Sequence, residues 1–303
     1  MSAHVAMLMG GWSAEREVSL VTGKACAKAL RDAGYRVTEI DVGHDLPARL
    51  AEASPDVAFN ALHGQWGEDG CVQGLLEVMG VAYTHSGVRA SALAMHKPTA
   101  RDIFLRSGLA CPDGVVERIE EINARDVLPR PYVVKPVSEG STCGVRIVQP
   151  GDNQPPIGAD WSFGDEALAE RFIPGRELSV AVMDGRALGV VEIRPHSGFY
   201  DYDAKYTEGK ADHAMPAPIH EQAYAEAMRM AEQAHTVLAC RGVTRSDFRY
   251  DDTDGEPGRL FILEINTQPG MTPLSLVPEI AAYNGMNFGA LVRWMVEDAT
   301  CRR

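Results

Sequence analysis

The chain has 303 residues, and at roughly 150 residues per domain that length predicts two or three units. Its 45% hydrophobic and 23% charged content is that of a globular protein with a sizeable core. The 42 acidic against 29 basic residues give a net charge of −13, a field that repels a phosphate backbone and excludes nucleic acid as an expected partner; a local cluster of Lys, Arg or Mg²⁺ can still receive a small anion.

In chain order, Met1–Met9 has no basic leader and reads as a first strand, not a signal peptide. No apolar run approaches the roughly 18 residues of a membrane span, so no membrane partner is expected. Cys26, Cys71, Cys111, Cys143, Cys240 and Cys301 are scattered without a CxxC pair, which predicts reduced thiols and a cytoplasmic location. His4–Met9, Arg36–Asp41 and Val57–Ala61 read as strands around a helical period from Ser13 to Ala33. That alternation predicts a parallel, doubly wound α/β sheet, with ligands at the loops Gly10–Ser13 and Leu62–Gly70.

A second unit begins near Met95, with a helix leading to Ser107-Gly108, a strand Tyr132–Pro136, a Gly/Ser loop and a strand Val145–Val148. The Pro-, Gly- and Asp-rich stretch Gln149–Phe163 reads as a surface connection. In the third unit, Leu178–Met183 and Leu188–Ile193 flank Asp184-Gly185 as a hairpin. The irregular segment Arg194–Ala217 is long enough to be a functional lid or disordered. A helix His220–Leu238, strands Val243–Tyr250 and Leu260–Asn266, and two short helices follow. The expected units are 1–94, 95–169 and 170–303.

Glu264 and Asn266 stand two apart, which puts both side chains on one strand face; Arg245 and Asp247 share a face by the same rule. Asp, Glu and an Asn amide oxygen are hard ligands suited to Mg²⁺ shared with substrate phosphates. Solvated polar residues on an open sheet would give the same pattern, but the apolar run Phe261-Ile262-Leu263 argues against a peripheral strand. The loop Val137–Gly144 can close over phosphates through its backbone N–H groups or serve as a plain turn; it is neither a Walker A motif nor a hydrolase elbow.

Lys135 ends an apolar strand, where a nearly buried ammonium requires an anionic partner. Lys97 stands at a helix start before Pro98, where a phosphate would meet both charge and free N–H groups. Lys205 lies in the segment Tyr200–Tyr206. Each of the last two, taken alone, reads as a solvated charge. Ser13 is the expected N-cap of the first helix, with Glu15 complementing its dipole, and His63 follows a strand end.

Taken together and in order, Gly10–Ser19, Ala61-Leu62-His63-Gly64, Gly67-Glu68-Asp69-Gly70, Val133–Pro136, Glu139-Gly140-Ser141, Tyr200-Asp201-Tyr202, Ala204-Lys205-Tyr206 and Glu264–Thr272 resemble the D-alanine–D-alanine ligase family of the ATP-grasp superfamily. The resemblance spans nearly the whole chain. It implies an ATP-grasp fold preceded by a Rossmann-like parallel-sheet domain, with ATP and D-alanine as substrates. It further implies two Mg²⁺ ions (Mn²⁺ able to replace them), a homodimer, and a place in peptidoglycan precursor synthesis.

By the same resemblance Asp247, Glu264 and Asn266 hold the metals. Lys97 and Lys135 meet the α- and β-phosphates, Lys205 the γ-phosphate, Glu170 the adenine and Glu177 the ribose. Glu15 receives the first D-alanine's ammonium with His63 nearby, and Ser275 and Leu276 hold the second D-alanine's carboxylate. Arg245 and the Gly270 N–H stabilise the oxyanion, while Ser141 and Tyr206 close the lid over Glu15. Tyr206 favours an amine acceptor over D-lactate, because relatives that form D-alanyl-D-lactate generally lack it. Asp113–Arg130 is shorter and less regular than the family's central domain, and Cys143 stands where a small aliphatic residue or Ser is usual. The competing readings are an ATP-grasp ligase with another acceptor and a non-catalytic ATP-binding scaffold.

Overall fold

A computed structural model describes residues 3–196 and 209–301; Lys205, Tyr206 and the block at 200–202 lie outside the described residues. The first sheet has the order β2-β1-β3-β4, all parallel, formed by β1 (His4–Met9), β2 (Arg36–Asp41), β3 (Val57–Asn60) and β4 (Ala82–Tyr83). Every residue of β1 is buried, as expected of an inner strand covered on both faces. Helices α1 (Arg16–Asp32), α2 (Leu46–Ala53) and α3 (Cys71–Met79) supply the crossovers.

Ser13 is not the N-cap of α1. The helix begins three residues later, because the Ser13 carbonyl already accepts the Arg16 N–H in a preceding turn (3.2 Å). Its Oγ accepts from Glu15 N (3.2 Å) and donates to the His63 carbonyl (2.7 Å), tying the two expected ligand loops together.

Helices α4 (Val88–Met95) and α5 (Lys97–Arg106) lead to an antiparallel sheet of order β5-β8-β6-β7: β5 (Gly114–Arg118), β6 (Tyr132–Pro136), β7 (Arg146–Val148) and β8 (Glu166–Arg171). The stretch that looked irregular therefore carries β5 and α6 (Ile119–Ala124). β5 is an edge strand with Val115 and Val116 exposed, so it lacks the inward alternation that marks a strand in sequence.

The third sheet runs β11-β10-β9-β12-β13, antiparallel throughout, from β9 (Arg176–Met183), β10 (Arg186–Pro195), β11 (Ala211–Ala214), β12 (Val243–Asp251) and β13 (Arg259–Asn266). β9 and β10 turn through Asp184 (φ 51°) and Gly185 (φ 71°), the paired left-handed residues of a tight hairpin. β11 lies inside the segment expected to be irregular; four residues on a sheet edge, Ala-Asp-His-Ala, give no periodic signal.

Along β9 the side chains alternate between two cores. Leu178, Val180 and Val182 meet α7 (Glu221–Val237), whereas Ala181 and Met183 face α8 (Leu276–Tyr283) and α9 (Phe288–Glu297). That second core also contains Val5, Met7 and Phe59 of the parallel sheet and Cys26 and Leu30 of α1. The six cysteines are free thiols, as their scatter predicts. No helix among the described residues is long and apolar enough to cross a membrane.

Candidate active site

Antiparallel pairing sets Asp247 opposite Glu264 and Arg245 opposite Asn266, so the four expected residues share one face of β12 and β13. A bulge follows Asp247 and shifts the register, so that Phe248 stands opposite Ile262. The Arg245 guanidinium forks onto Asp247, with Nε–Oδ1 2.9 Å and Nη2–Oδ2 2.7 Å. Ser179, from β9, also donates to Asp247 Oδ1. Lys97 Nζ lies 3.3 Å from Glu264 Oε2 and donates to the Glu139 carbonyl.

The Asn266 Oδ1 accepts the backbone N–H of Gln268 (2.8 Å), which fixes the oxygen, not the NH₂, as the atom on that side of the amide. Burial pushes the Glu139 carboxyl above its ordinary range, with Lys97 pulling it partly back.

Lys135 does have the anionic partner its burial requires. Glu170, on the neighbouring strand β8, lies 2.5 Å away, and both side chains are almost fully enclosed. The residues sit far apart in sequence, and only the β6–β8 pairing brings them together.

The third group is Glu15, His63 and Glu68, all buried, with ligand atoms within 4.8 Å of one another. His63 Nδ1 lies 2.9 Å from Glu68 Oε1, and Nε2 lies 3.1 Å from Thr22 Oγ1, so both ring nitrogens are engaged. The Gly/Ser loop arches directly over Glu15. A Cβ at Gly140 would stand 2.8 Å from Glu15 Oε1, and Ser141 (φ 51°) and Thr142 (φ 63°) hold the left-handed backbone of the arch. On the opposite side a Cβ at Gly270 would stand 2.9 Å from Ser275 Oγ. Ser275 is the N-cap residue of α8, and Leu276 is its first residue.

One cavity is lined by Glu15, His63, Lys97, Ser141, Glu177, Arg245, Asp247, Glu264, Asn266, Gly270, Ser275 and Leu276. The adjoining one holds Lys135 and Glu170 and shares Lys97, Glu177, Asp247 and Glu264 with the first. The expected site residues that the structure describes are thus brought together, whereas Lys205 and Tyr206 fall outside the described residues. Glu68, Glu139 and Ser179 also line the first cavity and were not singled out by their sequence. Glu68 and Glu139 lie within the blocks that carry the family resemblance, which implies no role for either. Ser179 carries no local signal, because its partner Asp247 belongs to a distant strand.

Two family models match the chain: "D-ala D-ala ligase N-terminus" over residues 46–86 and "D-ala D-ala ligase C-terminus" over residues 113–297. A protein named D-alanine--D-alanine ligase from Parvibaculum lavamentivorans is 58% identical over 303 residues, covering 99% of this chain and 98% of its own. The chain belongs to the D-alanine–D-alanine ligase family. Another family member, from Granulibacter bethesdensis, is 56% identical over 302 residues, again covering 99% and 98%. The crystal structure of D-alanine--D-alanine ligase from Bacillus anthracis complexed with ATP aligns with a TM-score of 0.80 at 28% identity, over 98% of this chain and 97% of that one. The ligase family's ATP-grasp architecture, with a parallel sheet at the amino terminus, is the fold expected from the sequence and the fold observed.

Proposed function

We propose that the chain joins two D-alanines into D-alanyl-D-alanine with conversion of ATP to ADP and phosphate, supplying a peptidoglycan precursor in the cytoplasm. The observation that carries this reading is that an acid-rich pocket, Glu15 with Glu68, and a hard-oxygen face, Asp247 with Glu264 and Asn266, open on one cavity. The pocket suits an ammonium better than a metal ion, because both His63 nitrogens are already spoken for. An amino acid held there by its ammonium on Glu15 reaches toward the phosphate side with its carboxylate.

That carboxylate oxygen attacks the γ-phosphorus of ATP. The new O–P bond replaces the bridging O–P bond, and ADP leaves. The amine of the second D-alanine, held by its carboxylate at Ser275 and the Leu276 N–H at the start of α8, then attacks the acyl carbon. The amine loses a proton, and phosphate departs with the electron pair of the C–O bond. Arg245 and the Gly270 N–H stabilise the tetrahedral oxyanion, each such donor typically worth about 2.7–4 kcal/mol.

Asp247, Glu264 and Asn266 fit two Mg²⁺ or Mn²⁺ ions by donor type, and bound ions would neutralise charge on the β- and γ-phosphates. Lys97, Lys135 and Lys205 serve the phosphates, Glu170 the adenine edge and Glu177 the ribose. Ser141 and Tyr206 orient Glu15, and Tyr206 favours an amine acceptor. Residues 1–94 form the first-substrate unit, while 95–169 and 170–303 grip ATP, with β8 completing the middle sheet. The protein works as a homodimer.

Incubation with ATP, MgCl₂ and D-alanine, followed by phosphate and dipeptide measurement, tests the reading. Stoichiometric phosphate and D-alanyl-D-alanine are expected. Product only when D-lactate or another acceptor is added would overturn it.

A further inference from the structure

Gln268 is a buried polar residue to which the reaction as derived gives no task. Gln268 is 1% exposed and stands between Asn266 on the metal face and Gly270 at the oxyanion. Its Nε2 donates to the Leu62 carbonyl, and its Oε1 accepts from Asn60 Nδ2 (2.8 Å). Asn60, fully buried at the end of β3, uses its whole amide. Nδ2 also donates to the Gly67 carbonyl (3.0 Å), and Oδ1 accepts the Leu62 N–H (3.2 Å). The Leu62 peptide, immediately before His63, is therefore held at its N–H by Asn60 and at its C=O by Gln268. At the other end the Gln268 backbone N–H holds Asn266 Oδ1.

We propose that Gln268 is a positioning residue that clasps the first-substrate loop to the metal and oxyanion segment, and so sets the reach from the first D-alanine's carboxylate to the γ-phosphate. The inference rests on the ligase reading. Its chemistry calls for glutamine specifically. The site needs one donor and one acceptor at the end of a two-methylene arm, because Leu62 offers a carbonyl and Asn60 an N–H. Met matches the length and offers neither, whereas Asn offers both and falls one methylene short. Gln268 lines neither cavity; it acts by holding His63 and the loop after β3 at a fixed distance from Asn266. Reacting groups must meet within a few tenths of an ångström, so loosening this tie is felt in the first substrate's geometry before it is felt in nucleotide binding.

The test compares Gln268→Met and Gln268→Asn with Ser86→Ala. Ser86 makes a different buried link, to the Arg241 N–H (3.1 Å) and carbonyl (3.2 Å), between the parallel-sheet part and the third sheet. Both Gln268 variants are expected to raise KM for the first D-alanine, or lower kcat, by about tenfold or more, with KM for ATP within about twofold. Ser86→Ala should leave all three within about twofold, even where its melting temperature falls as far as theirs. Kinetic constants for both Gln268 variants within twofold of the parent would overturn the proposal, whatever happens to Tm, and the Asn variant carries the test should the Met variant not fold. If the parent makes no dipeptide, the ligase reading itself has failed. Amide hydrogen exchange at residues 61–69 then decides the clasp: acceleration of about tenfold in the Gln268 variants but not in Ser86→Ala supports it, and equal rates sink it.

Discussion

Two carboxylates placed opposite each other on neighbouring strands, Asp247 and Glu264, repel in the absence of a cation, and the protein's own Arg245 and Lys97 lie against them. A face arranged this way gives up some stability to function, so removing one charge separates the two. Glu264→Gln is expected to lower kcat by at least about a hundredfold while Tm stays level or rises. Steady-state kinetics over a Mg²⁺ series with a thermal melt checks this, and retained activity at ordinary Mg²⁺ would remove Glu264 from the metal set.

His235 presents the opposite case, a titratable group with no part in the reaction. Burial pushes it down from 6.5 to about 4, with its Nδ1 bonded to Thr244 Oγ1 (2.9 Å). The folded state therefore holds the neutral ring, and its contribution is complete above pH 6.5. It is lost as pH falls toward about 4, on the order of 3 kcal/mol in full. Urea melts at pH 7 and pH 4.5 should show this loss in the parent and a smaller one in His235→Asn; equal losses would assign the acid sensitivity elsewhere.

Glu264 and Asn266 were legible in the sequence because strand periodicity is local. Glu170 as the partner of Lys135, and Ser179 as the partner of Asp247, were not, because each pairing is created by a strand order that no short window contains.

Helix α1 and strand β1 meet at Gly23. A Cβ added there would stand 2.5 Å from Met9 Cβ and 2.7 Å from its Sδ, so the approach of helix to sheet is set by the missing side chain. Alanine is the better helix former by about 1 kcal/mol, yet overpacking in a filled core costs typically about 1–3 kcal/mol. Gly23→Ala is therefore expected to destabilise the protein by about 1–2 kcal/mol in a denaturant titration, and stabilisation would show that β1 and α1 can separate freely. The elements best read from sequence were those with long amphipathic or apolar patterns, such as β1, β6, the β9–β10 hairpin and α7. β5 and β11 carry no such pattern because both are short edge strands, held by a neighbour's hydrogen bonds more than by their own periodicity. The true start of α1 is hidden for a related reason: Ser13 has the residue type of a cap but uses its hydroxyl to join two loops.

At the scale of the whole molecule, the cavities draw residues from all three sheets and the loops between them. Ser141 comes from the loop after β6, Glu15 and His63 from loops of the parallel sheet, and Asn266 and Ser275 from the third sheet and the segment beyond it. The order of the motif blocks revealed the family, while the distances among them depend on sheet pairing and on buried links such as Asn60–Gln268.

The core around α1 has a consequence for how the chain is made. Cys26, Ala27 and Leu30 of α1 share a core with Leu291, Val292 and Met295 of α9, and Tyr83 bridges to Thr300. As the polypeptide emerges from the ribosome, the parallel sheet forms first but keeps one flank bare until residues near 300 have been translated. That apolar flank stays bare until the chain has been translated past Phe288, so the first unit completes its core only at the end of synthesis.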